Sequence, residues 1–124
     1  MAFPGTLNIN YYKGDTYEFK VYPKNSVGGV FNLSNFAVKF YIANGRGATI
    51  KVSGTDTPVT QYECTSSIGT DSTISCTIPP GVGRQLSAGT TYVYDVEVRN
   101  PTTGVIYTVL TGNITVTADV SGAI

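Results

Sequence analysis

The sequence predicts an all-β domain, and three observations carry that prediction. Of its 124 residues, 18 are Thr and 9 are Tyr, both strand formers, and 14 are Gly, the residue of turns. Apolar residues recur with period 2 over several short runs, the spacing of half-buried strands. Clusters of Gly, Pro, Asn and Asp separate those runs. Only 13% of the residues are charged, about half the usual share, whereas a disordered chain needs high charge and few aromatics.

Residues 6–12 place Leu7, Ile9 and Tyr11 on one face and Asn8, Asn10 and Tyr12 on the other. Residues 16–22 set Tyr17, Phe19 and Val21 against Thr16, Glu18, Lys20 and Tyr22. With Lys13-Gly14-Asp15 between them, the two runs read as an antiparallel pair or as one strand broken at a kink. Pro23 ends the second run because proline cannot donate to a ladder. Residues 27–35 form a loop around Gly28-Gly29. The strongest strand signal is 36–42, with Phe36, Val38, Phe40 and Ile42 on one face, and it belongs at the centre of the core. Asn44-Gly45-Arg46-Gly47 turns the chain into a short strand, 48–53, and 54–58 is a loop.

Residues 59–66 and 73–79 flank Ile68-Gly69-Thr70-Asp71-Ser72 as a hairpin. Centring it near Thr70 sets Tyr62 opposite Ile78, Cys64 opposite Cys76 and Ser66 opposite Ile74. Pro79-Pro80-Gly81 stops it, and 82–88 holds at most one short helical turn. Residues 90–99 point Tyr92, Tyr94, Val96 and Val98 inward, with Thr91, Val93, Asp95, Glu97 and Arg99 outward. After the Asn100-Pro101-Thr102-Thr103-Gly104 turn comes a long last strand, 105–117. Its even face carries Ile106, Thr108, Leu110, Gly112, Ile114 and Val116. About seven or eight strands so punctuated predict a single immunoglobulin-like antiparallel β-sandwich spanning 1–124. The antibody signature is missing: there is no Trp, and the two Cys lie only 12 positions apart.

Several function classes fall away on composition. Eight Lys+Arg balance eight Asp+Glu, so there is no basic surface for nucleic acid and no polybasic membrane anchor. No run approaches a membrane span, and residues 1–5 lack the basic and apolar regions of a secretory leader. With no His, the usual nucleophile–base pairs and the commonest metal ligand are missing. Two Cys are too few for a metal site, so neither metal nor cofactor is expected. They read either as a cross-strand disulfide or as two free, buried thiols. Asp95 and Glu97 share an outward face about 6–7 Å apart, a spacing open to glycoside chemistry but far commoner on a solvated strand. Gly81-Val82-Gly83-Arg84 lacks the Gly-Lys-Ser/Thr end of a phosphate loop. Asn32-Leu33-Ser34 and Asn113-Ile114-Thr115 match the glycosylation triplet by chance. Catalytic residues are therefore not expected.

Candidate contact residues come from the wrong side of strands. Tyr12, Tyr22, Tyr41 and Tyr107 fall opposite the inward residues of their runs. Val105, Tyr107 and Val109 make three successive apolar residues on the expected solvent face of the last strand, and they need a cover. The loop 27–35 would cover them from within, and a neighbouring molecule from without. Residues 1–10 carry no charge and read as an edge strand or as an extended arm that adds to a neighbour's sheet, with Phe3 in a pocket.

Three segments resemble small virion proteins of tailed bacteriophages, those of cyanobacterial phages in particular. Lys13-Gly14-Asp15-Thr16-Tyr17-Glu18-Phe19-Lys20-Val21 resembles their opening Gly-Asp-Thr strand. Ala88-Gly89-Thr90-Thr91-Tyr92-Val93-Tyr94-Asp95-Val96-Glu97-Val98 resembles their AGTYVYDVEV strand. Leu110-Thr111-Gly112-Asn113-Ile114-Thr115-Val116-Thr117-Ala118-Asp119-Val120 resembles their closing L-x-G-x-I-T-V-T-x-D-V strand. The resemblance implies an immunoglobulin-like sandwich used in capsid decoration, necks, tails or baseplates. It implies a non-enzymatic virion protein, made in the host cytoplasm, whose partners are the major capsid protein, other virion proteins or further copies of itself. A decoration or cement protein is the first expectation. A neck, tail or baseplate part, or a module binding host-surface glycan, is the alternative.

Overall fold

Alternating runs become strands wherever their apolar face finds a partner. The computed structural model describes residues 5–25, 27–46, 49–52 and 55–118, the side chains of 49–52 and 55–58 excepted. Among the described residues, ten strands and one helical turn follow in order: β1 (Gly5–Thr6), β2 (Ile9–Tyr12), β3 (Tyr17–Val21), β4 (Ala37–Ala43), β5 (Thr49–Val52), β6 (Thr55–Pro58), β7 (Gln61–Ile68), β8 (Ile74–Ile78), α1 (Pro80–Gly83), β9 (Thr91–Arg99) and β10 (Ile106–Thr117). The fold is all-β, as the composition requires.

Pairing runs β1-β10-β9-β4-β7-β8-β3, with β2 following β1 along β10. β5 and β6 form a separate two-stranded ribbon. β7 makes the corner: residues 61–64 pair with β4 and residues 65–68 pair with β8. One strand thus belongs to both layers, and the sheet curls around a single core. β4, β9 and β10 line up as C, F and G of an immunoglobulin-like sandwich, and β3, β8 and the second half of β7 as B, E and D. The antiparallel expectation fails at one edge, where β1 and β2 run parallel to β10.

Three rings close the core between the layers. Phe19 of β3 lies 5.4 Å from Phe40 of β4 and 6.1 Å from Tyr94 of β9, and Phe40 lies 5.8 Å from Tyr94, all edge-to-face. Antibody domains hold the same three strands with a B–F disulfide and a Trp on C. Here aromatic packing stands in that place. Tyr92, two residues before Tyr94, accepts a 2.8 Å hydrogen bond from the Ser87 N–H. That is the tyrosine corner at the start of strand F. The Tyr94 hydroxyl donates to the Leu7 carbonyl at 2.6 Å and so ties the N-terminal segment to the core.

The structure departs from the expected pairings and bounds in several places. Residues 6–12 and 16–22 do not pair with each other. The turn after Tyr12, with Gly14 at φ 90°, carries the chain from β2 in one layer to β3 in the other. Pairing on β10 makes residues 5–12 an edge of their own sheet, and the rest of the expected arm, Phe3 included, lies outside the described residues. Residues 55–58, expected as loop, pair with β5. The helical turn comes two residues early, because Pro80 is pre-set for the first helical position.

The hairpin of β7 and β8 is centred on Asp71, not Thr70, with Ser66 opposite Cys76 and Ile68 opposite Ile74. Ser72 takes a left-handed φ of 61°, and the turn falls one residue later, at 69–73, which shifts the cross-strand register by two. Cys64 therefore faces Phe40 and Cys76 faces Phe19 and Ser66, and both thiols are free and buried. Burial pushes each thiol up to about 12 from an ordinary 9.0. The native protein is expected not to react with a thiol reagent near neutral pH, and to release two reactive thiols on denaturation. Because the folded thiols keep their protons above 9.0, their stabilisation is intact below that pH and is lost as the pH rises towards about 12. Denaturant midpoints measured across that window check the sign.

β10 carries a bulge between Thr108 and Leu110. Before it, Tyr107 lies opposite the inward Val98; after it, Leu110, Gly112 and Ile114 lie opposite Val96, Tyr94 and Tyr92. One extra residue lets the odd face of the start and the even face of the rest both look inward. Ile106 and Thr108 are therefore not core residues, as the unbroken alternation suggested. Val109 is core, at 3% exposure, and leaves the set of interface candidates.

Candidate functional site

The topology gathers three loops at one end of the sandwich: 22–36 between β3 and β4, 69–73 between β7 and β8, and 100–105 between β9 and β10. Each is braced by a short polar side chain. The Asn25 Oδ1 accepts from the Val27 and Gly29 N–H groups at 3.0 and 2.9 Å, and Gly28 supplies the left-handed φ of 85°. The Asp71 Oδ1 accepts from the Thr73 N–H at 3.1 Å, which holds its carboxyl below the usual carboxylate range. The Asn100 Oδ1 accepts from the Thr102 and Thr103 N–H groups at 3.0 and 3.2 Å. These are Asx turns, in which the side chain replaces a backbone partner.

The loops are also tied to one another. The Leu33 N–H donates to the Ser72 Oγ at 2.9 Å, joining the first loop to the second. Phe31 packs edge-to-face on Tyr107 at 5.9 Å and on Phe36 at 5.8 Å, joining the first to β10 below the third. Exposed apolar side chains concentrate on this braced end: Val27 at 88% exposure, Val30 at 59%, Ile106 at 52%, and Val105. Pre-organised loops lose little conformational entropy on docking.

A second feature lies on the outer face of the larger layer. A groove of about 430 Å³ is lined by Tyr41, Arg46, Gln61, Asp95 and Glu97. Arg46 reaches across it, donating from Nη1 to the Asp95 Oδ1 at 3.0 Å and from Nη2 to the Thr111 Oγ1 at 2.6 Å. The Thr111 hydroxyl donates in turn to the Asp95 Oδ1 at 2.7 Å. Asp95 is thus committed as a counter-ion. Glu97 lies opposite Lys39 on β4, and Lys39 itself pairs with Glu63 at 2.9 Å. Of the two carboxylates, Asp95 is taken up by Arg46 and Thr111, while Glu97 stands across from a lysine that is paired with Glu63.

The predicted contact residues are scattered by this geometry. Val105 joins the braced loop end. Tyr107 is half-buried, covered from within by Phe31 and Phe36, as the loop reading expected. Tyr12 stands exposed on β2, Tyr22 stands exposed just after β3, and Tyr41 lies in the groove. Val27, Val30 and Ile106 were not singled out from sequence. The first two sit in a Gly-rich loop with no period, and an apolar residue in such a loop is itself a signal. Unbroken alternation places Ile106 on the even face with Leu110 and Ile114, and only the bulge turns it outward.

No family model and no curated protein matches the chain. Among solved structures, it is similar to a family 123 glycoside hydrolase from Clostridium perfringens, described for glycolipid glycan hydrolysis. That match has a TM-score of 0.37 and 14% identity, and covers 93% of this chain but 23% of that one. A likeness so slight carries no argument about activity.

Proposed function

We propose that this protein is a non-enzymatic structural component of a tailed-phage particle, a decoration protein that docks on the outer head surface. The observation that supports this reading most is the braced loop end, where Val27, Val30, Val105 and Ile106 are exposed on or beside hydrogen-bonded loops. The resemblance of three strands to small virion proteins supplies the class of partner, the major capsid protein. A role as a neck, tail or baseplate part would use the same surface, and the position and copy number of its density in an electron-microscopy map of the particle separate the two.

The test is a Val27→Ser, Val30→Ser, Ile106→Ser variant, added to particles that lack the protein. Binding is expected to weaken by roughly tenfold or more, while the thermal midpoint of the isolated domain stays put, because these side chains are already exposed. Undiminished occupancy would overturn the docking surface. Tyr41 in the groove favours one other reading, a module that recognises host-surface glycan by ring stacking. Saturable glycan binding abolished by Tyr41→Ala would favour that reading over decoration.

A further inference from the structure

The smaller layer ends in an open strand. β3 pairs with β8 on one side, and no described strand pairs with its other side. Its inward Tyr17 and Phe19 are only half-buried, while Ile78 and Cys76, opposite them on β8, are fully buried. Its outward Glu18 and Lys20 are exposed, and Tyr22 beyond them is 60% exposed. Charges on an edge strand ordinarily deter pairing. Here they are of opposite sign and flank Phe19 symmetrically, so they also select one partner: the same strand, reversed.

We propose that β3 pairs antiparallel with β3 of a second copy about a two-fold axis at Phe19. Phe19 then faces its own counterpart. Glu18 faces Lys20 twice, Tyr17 faces Val21 twice, and Thr16 faces Tyr22 twice. Opposite-charge, aromatic–aromatic and aromatic–β-branched pairs are the stabilising cross-strand combinations. Other registers fail on simple grounds. A shift by one residue sets inward side chains against outward ones. A shift by two, in either direction, sets Glu18 against Glu18 or Lys20 against Lys20. Parallel pairing in register does both. The contact covers the exposed Tyr22 and the flanks of Tyr17 and Phe19, and two-fold closure consumes both open edges, so it ends at a dimer. It does not depend on the particle and centres on the edge of β3, away from Val27, Val30, Val105 and Ile106 of the proposed docking surface.

Sedimentation equilibrium of the full chain, carried to roughly millimolar concentration, tests the pairing. The unchanged protein is expected to show a monomer–dimer equilibrium. Glu18→Lys alone and Lys20→Glu alone each create two like-charge pairs and should weaken the dimer by roughly tenfold or more. The double reversal Glu18→Lys with Lys20→Glu restores both pairs and should restore the dimer. An equimolar mixture of the two single variants should form a heterodimer, since every facing pair is then of opposite sign. Both side chains are exposed, so thermal midpoints should not move and the four chains remain comparable. A monomer at all concentrations would overturn the proposal, as would single variants that dimerise as well as the unchanged chain.

Discussion

Gly112→Ala is expected to destabilise the domain by about 3 kcal/mol and to release residues 5–12 from the sheet. A Cβ at position 112 would fall on the carbonyl of Leu7, with the Tyr94 ring close behind. That carbonyl accepts the Tyr94 hydroxyl at 2.6 Å, and the Leu7 N–H donates to the Thr111 carbonyl at 3.0 Å. The obstacle is backbone held by hydrogen bonds on both sides, so it cannot swing away as a side-chain tip would. The segment must lift, and the buried Tyr94 hydroxyl loses its acceptor. Denaturant unfolding measures the loss, and hydrogen exchange at residues 5–12 locates it. Normal protection there with an unchanged midpoint would show that β10 gives way instead.

Phe40→Ala should cost about 3–5 kcal/mol, the range for emptying a large ring from a packed core. Phe40 has no exposed surface and touches both of the other rings that bridge the layers. Its loss removes contacts of Phe19 and Tyr94 at once and leaves a cavity against the rigid strand β9. Phe40→Leu refills most of the volume without the edge-to-face geometry and should recover most but not all of that stability. Equal midpoints for the Leu variant and the unchanged protein would show that volume alone matters there.

Strands that alternate cleanly were legible in the sequence. β4 and β9 sit within a residue or so of their expected bounds, and Tyr92, Tyr94, Val96 and Val98 are buried as their period demands. What was not legible depends on single residues. The bulge at Thr108–Leu110 leaves no mark in composition, because Thr-Val-Leu-Thr reads the same with or without an extra residue. The turn with the left-handed Ser72 sits one residue later than its expected centre at Thr70, and that alone separated the two cysteines. β6 has no apolar alternation to announce it, and the pairing of β2 with β10 joins residues about a hundred positions apart. The groove failed for a related reason: Arg46 comes from a turn, and only the folded chain brings it to Asp95.

The parallel edge of β1 and β2 on β10 also decides how the molecule bears load. The first and last strands of the sheet point the same way, so tension drawn through the segments flanking residues 5 and 117 slides one past the other. The bonds between them, from Leu7–Thr111 to Lys13–Thr117, are then strained together, whereas an antiparallel pair pulled from one end unzips bond by bond. Mechanical strength would reside in this short shear seam at the margin of the sheet, and the aromatic core behind it would be loaded only after the seam parts.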